Sequence, residues 1–130
     1  MIGIDTNVLI RLAMQDDPIQ CAKVDLFLAS LSRQDVGFIS LVTLIESVWV
    51  LEKRYNLSKS DIVRFVQELL DAPELTLERA EAVSQALQRF KASSADFADC
   101  LIERLGALAG CRETVTFDQD ASKFAGMRLL

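Results

Sequence analysis

Short apolar runs alternate with longer stretches of helical periodicity along the whole chain, and that alternation restricts the fold more than any other feature. Met1-Ile2-Gly3-Ile4, Val36-Gly37-Phe38-Ile39, Leu75-Thr76-Leu77 and Thr114-Val115-Thr116-Phe117 read as strands, with Met127 to Leu130 as a last edge strand. Between them, apolar residues recur at three- and four-residue spacing, the mark of helices with one buried face. Strands separated by helices imply βα units and a parallel sheet, because parallel neighbours need a crossover connection. The expected fold class is α/β: a three-layer α/β/α single domain over residues 1–130 with a parallel central sheet.

Local signals place the helices. Asp17-Pro18 marks a helix start with Gln20 as capping partner, and the helix runs through Val24, Phe27, Leu28 and Leu31. Ser58 with Asp61 forms a capping box ahead of Ile62, Phe65, Val66, Leu69 and Leu70. Ala80, Val83, Leu87 and Phe90 define another amphipathic helix, and Lys91 to Ala95 is a small-residue connector. Phe97, Leu101, Leu105 and Leu108 form the stripe of a helix that begins at Asp96 and is ended by Gly110. From Leu41 to Tyr55 the apolar residues fall almost all round, which predicts burial on more than one side, in the core or at an interface.

At 130 residues, 51% hydrophobic and 25% charged, the chain has the composition of a compact fold and the length for a self-sufficient core. Its formal charge of −5 argues against bulk electrostatic capture of nucleic acid, although a bound metal would create a locally cationic site. No apolar run approaches the ~20 residues that span a bilayer, and no export signal opens the chain, so a cytoplasmic protein without membrane association is expected. The three cysteines, Cys21, Cys100 and Cys111, form no Cys-x-x-Cys pair and are expected to be reduced and buried as small apolar side chains. Histidine is absent, which removes Ser-His-Asp catalysis, histidine zinc sites and paired-histidine cleavage of RNA. Chemistry here rests on carboxylates.

Asp5 and Asp118 each follow an apolar strand directly, so both belong at the carboxyl edge of the sheet, where open α/β folds bind ligands. Capping of the next helix explains either residue equally well. Glu46 has apolar helical neighbours in Val42, Trp49 and Val50, and a lone carboxylate in such company points to a cleft. Asp96 and Asp99 share a helix face; capping accounts for Asp96 but less well for Asp99. Carboxylates from strand ends and helix starts suit Mg²⁺ or Mn²⁺, which take oxygen ligands. A metal that lowers the pKa of bound water and neutralises phosphoryl oxygens gives the most economical histidine-free route to phosphodiester cleavage.

Ile4-Asp5-Thr6-Asn7-Val8-Leu9-Ile10, the mid-chain Glu46, Asp96-Phe97-Ala98-Asp99-Cys100-Leu101-Ile102 and Thr116-Phe117-Asp118 resemble, in order and spacing, the four acidic motifs of the PIN domain. With the total length, they resemble the single-domain VapC-type toxins of bacterial toxin–antitoxin pairs. The resemblance implies a Mg²⁺- or Mn²⁺-dependent ribonuclease held inactive by a small cognate antitoxin, dimeric, with a parallel sheet flanked by helices. Carried over by position, Asp5, Glu46, Asp99 and Asp118 match the acidic quartet, with Asp96 an added acid acting through water. Thr6, Asn7 and Thr116 match groups that orient the ligands by hydrogen bonds. Asp120, close behind Asp118, competes for the fourth place. Arg11, Lys53, Arg54, Arg89, Lys91 and Lys123 are candidates for RNA contact.

Other classes fit less well. A HAD-like phosphatase needs a second Asp where Asn7 stands, and a receiver domain needs an acidic pair where only Asp5 is present. The serious rival is a non-catalytic, metal-stabilised protein-interaction module, with the apolar helix carrying Trp49 as its docking element.

Overall fold

The backbone of the computed structural model, which describes residues 1–130, follows the alternation seen in the sequence. In chain order the elements are β1 (Ile2–Gly3), α1 (Thr6–Met14), α2 (Pro18–Ser30), β2 (Gly37–Ile39), α3 (Leu41–Lys53), α4 (Lys59–Asp71), β3 (Leu75–Leu77), α5 (Ala80–Ala92), α6 (Phe97–Leu108), β4 (Val115–Thr116), α7 (Gln119–Phe124) and β5 (Arg128–Leu129). All strand pairs are parallel, so the chain is an α/β protein. It divides into two compact units, Met1–Glu78 and Arg79–Leu130.

The first unit is built on a sheet of order β1-β2-β3. The α1–α2 segment returns the chain for β2, and α3–α4 returns it for β3, the long crossovers that parallel pairing demands. The register sets Gly3 against Phe38, and Phe38 against Thr76. Gly37 is buried in the central strand, where an added Cβ would stand 2.6 Å from the Ile4 side chain and 3.0 Å from that of Leu75. A larger residue there would push the side chains of Ile4 and Leu75 aside. Leu9, Ile39, Leu44, Leu51, Ile62 and Val66 are fully buried apolar side chains of this unit.

Its caps follow the sequence closely. Asp17 accepts from the backbone N–H of Ile19 and Gln20, with Pro18 at the first helical position. Gln20 thus contributes its backbone. Ser58 and Asp61 make the reciprocal capping box of α4. At α3, Ser40 Oγ accepts from Thr43 N at 3.1 Å, and Glu78 reaches across from the end of β3 to accept from Leu41 N at 2.9 Å. Two of the orphan amides of α3 are satisfied in this way.

In the second unit α5 and α6 lie together, with β4 and β5 forming their own two-stranded parallel ladder. Phe90 and Phe97 meet edge to face at 5.7 Å, and Leu87, Cys100 and Leu101 are buried. The six-residue α7 was not foreshadowed by periodicity, being under two turns; its buried Ala121, with Ala125 just beyond it, holds it to its own unit. Cys21 and Cys100 are buried as expected, whereas Cys111 is exposed, because it follows the turn at Gly110 (φ +93°) that ends α6.

Glu103 ties this unit together. Its carboxylate accepts from Arg104 Nε and from Arg89 Nη1 at 3.0 Å, while Arg89 Nη1 also donates to the Ala125 carbonyl at 2.7 Å. Gly126 (φ +83°) lets the chain pass Arg89, since a Cβ there would lie 2.6 Å from Nη1. Hydrogen bonds from Arg104, with the charges of Arg104 and Arg89, hold Glu103 below its ordinary pKa against the effect of burial. A lowered folded pKa stabilises above the ordinary value and is lost as pH falls. Glu103→Gln is accordingly expected to cost about 1–2 kcal/mol at pH 7, between exposed and buried pairs, and less at pH 3, as urea melts at the two pH values would show.

Candidate active site

In the first unit the chain leaves β1 and turns at Asp5 into α1. Asp5 has the extended backbone of an N-cap, yet its side chain accepts no capping hydrogen bond and stays exposed. The capping account therefore does not explain this carboxylate. Thr6 behind it is buried and Asn7 is exposed.

Glu46 is exposed on α3 and lines a cavity of about 370 Å³ together with Thr6, Asn7, Arg11, Trp49 and Tyr55. The expectation that α3 is buried on more than one side is corrected for the chain's own core. Leu44, Ser47, Val48 and Leu51 form a single buried face, while Val42 is 78% and Trp49 52% exposed. Apolar composition marks surface that prefers to leave water; it does not say which part the fold covers.

In the second unit the charges of Asp96 and Asp118 both act on Asp99. Asp96 caps α6, accepting from Ala98 N at 2.8 Å and Asp99 N at 3.4 Å. Asp118 caps α7 through Ala121 N at 3.0 Å, and its own N–H donates to Thr116 Oγ1 at 2.9 Å. The side-chain carboxylate of Asp99, in the first turn of α6, has no hydrogen-bond or ion-pair partner. Burial, then the negative charges of Asp96 and Asp118, raise its pKa. Asp120 is exposed in the first turn of α7.

The structure thus groups Glu46 with Thr6 and Asn7, and Asp99 with Asp96 and Asp118. No three of the chain's carboxylate and thiol side chains stand close enough to ligate one ion together. Mg²⁺ is usually held by only one or two carboxylates, with waters and substrate phosphates completing its shell. Within each unit the unpaired donors are carboxylate oxygens, the ligand type that hard cations take.

The candidate cations differ in availability. Arg89 is committed to Glu103 and Ala125, and Arg11 is held by Asp16 and by the Tyr55 hydroxyl at 3.0 Å. Lys53, Arg54, Lys91 and Lys123 are exposed. Sequence reasoning missed the part of Tyr55, whose hydroxyl links Arg11 to Asp16 beside Glu46. The available signal was Trp49, three residues beyond Glu46 and so on its helix face.

Parallel strands joined by crossover helices define an α/β protein with acids at its strand ends. The family model of the PIN domain matches residues 2–127. The chain belongs to the PIN domain family, whose fold is that of a nuclease. No curated protein matches it. No helix is long and apolar enough to cross a membrane.

Proposed function

We propose that this protein is a Mg²⁺- or Mn²⁺-dependent endoribonuclease, one nuclease domain over residues 1–130, and the toxin of a toxin–antitoxin pair. The observation that carries the reading is the state of the acids in the four motif positions. The carboxylates of Asp5, Glu46 and Asp99 make no hydrogen bond or ion pair with the protein, and that of Asp118 spends one oxygen on its cap. Carboxylates kept free at helix starts and at a cavity wall are poised for a cation. Asp5 and Glu46 in the first unit, and Asp99 and Asp118 in the second, are the carboxylates proposed to bind divalent metal, with Asp96 contributing through water.

A bound divalent ion supplies positive charge for the phosphoryl oxygens and acidifies a water molecule. The chain supplies placement. Asp96 fixes the first turn of α6 and hence the position of Asp99, and the Thr116 hydroxyl holds the backbone at Asp118. Thr6 and Asn7 lie beside Glu46, where their polar groups orient ligands or substrate.

Attack by water on phosphorus breaks the P–O3′ bond and leaves a 5′-phosphate and a 3′-hydroxyl. With no histidine to deprotonate the ribose 2′-OH, these ends are expected when Mn²⁺-supplemented digests of RNA are mapped. Termini with 2′,3′-cyclic phosphate would refute the reaction.

The toxin assignment is supported by motif order and chain length together. Ile19 and Leu26, seven residues apart on one face of α2, are 72% and 74% exposed, apolar surface suited to a protein partner or a second copy. Induced expression should arrest bacterial growth, and the Asp5→Asn chain should not. Light scattering of the purified protein tests the homodimer.

A further inference from the structure

The cavity at Glu46 continues past the carboxylate onto Trp49, Arg54 and Tyr55. At about 370 Å³ it falls in the ~300–1,000 Å³ range of ligand sites. Trp49 is the chain's single tryptophan and is half exposed at the rim. Tyr55 is held in place by its hydroxyl, which accepts from Arg11 Nη2 at 3.0 Å and donates to Asp16 Oδ2 at 3.3 Å. Arg11 therefore has its charge matched within the protein. Arg54 does not; it is exposed, and no carboxylate pairs with it.

An unmatched guanidinium and an exposed indole at one cavity, on a chain of net charge −5, complement a ligand that is both anionic and planar-ringed. We propose that this cavity is a nucleotide subsite in which Trp49 stacks one base of a single-stranded RNA and Arg54 pairs with an adjoining phosphate. The inference rests on the ribonuclease reading, since Glu46 lines the same cavity. Every base has a π-face, so such a platform tolerates any sequence. Asn7, at the cavity wall, offers both a donor and an acceptor to the edge of the stacked base.

Trp49 reports on its own site. A single-stranded 12-mer RNA titrated in EDTA, where no cleavage occurs, is expected to quench the tryptophan fluorescence saturably. Binding followed by anisotropy of labelled RNA should weaken about 10- to 100-fold in Trp49→Ala and recover most of that in Trp49→Phe. Arg54→Gln should lower the salt slope of binding by about 0.7, one phosphate's worth on a single strand. Circular dichroism checks that each variant is folded, and the Phe variant carries the test should the Ala variant unfold. RNA that binds without quenching, or binds equally to folded Trp49→Ala, overturns the subsite, as does no binding in EDTA. Cleavage in Mn²⁺ under either result leaves the ribonuclease reading standing, whereas failure to cleave in Mn²⁺ removes that reading itself.

Discussion

Asp5→Asn is expected to lower RNA cleavage at least about 100-fold while leaving the melting temperature within about 2 °C of the unaltered chain. The two halves of that expectation have separate causes. Losing a group that merely orients a metal ligand costs about 10- to 100-fold, so losing the ligand's own charge costs no less. The stability half follows from the cap geometry. Asp5 sits at the N-cap of α1 but accepts no hydrogen bond from it, so Asn in its place breaks no contact. Undiminished cleavage by the folded variant would sink the assignment of Asp5. A fall in activity that tracked a large fall in melting temperature would return Asp5 to a structural role, as the interaction-module alternative requires.

Asp99→Asn should lose cleavage to a similar degree and yet make the metal-free protein more stable. Burial and the nearby charges of Asp96 and Asp118 raise the pKa of Asp99 from its ordinary 3.8. The sign then follows: the unfolded chain ionises first, so stability is lost as pH rises from 3.8 through the folded pKa. Removing the charge recovers that loss at pH 7 and recovers nothing well below pH 3.8. The gain should be about 0.5 kcal/mol, the size of like-charge repulsion on a helix, or roughly 2 °C. Millimolar Mg²⁺ should raise the melting temperature of the unaltered chain and not that of the variant, because only a bound ion rewards the carboxylate. A variant less stable than its parent at pH 7 without metal would show that Asp99 is held by contacts instead of repelled by them. Both outcomes together would set function against stability at this residue, as is common where like charges are gathered for chemistry.

Much of the fold was legible because its signals are local. Asp17-Pro18, the Ser58–Asp61 box and the Asp96 cap act over two or three residues, and each appears in the structure with the amides expected of it. Period and punctuation likewise placed the strands at Val36 to Ile39 and Leu75 to Leu77, where the described β2 and β3 lie. The helix α7 was not legible. Its six residues are too few to display a period, and it depends on burial of Ala121 within its own unit. Nor was the exposure of Cys111, which depends on where the chain turns after Gly110.

The site divides along the same line. Residue type and order marked Asp5, Glu46, Asp99 and Asp118 as candidate ligands, and the absence of histidine narrowed their candidate chemistry to what oxygen ligands support. What each carboxylate does in the folded chain was not in the order of residues. Asp5 and Asp118 have the same context, strand then acid then helix, but only Asp118 bonds its helix. Arg11, Arg54 and Arg89 look alike as cations, yet two are matched by Asp16 and Glu103 and one is free. The sequence by itself determined the α/β alternation, the caps and the acidic character of the site, because those follow from interactions within a few residues. Which acids stay unpaired, which cations remain available and how Tyr55 comes to hold Arg11 at the Glu46 cavity were decided only by tertiary structure, because they depend on partners far away in the chain.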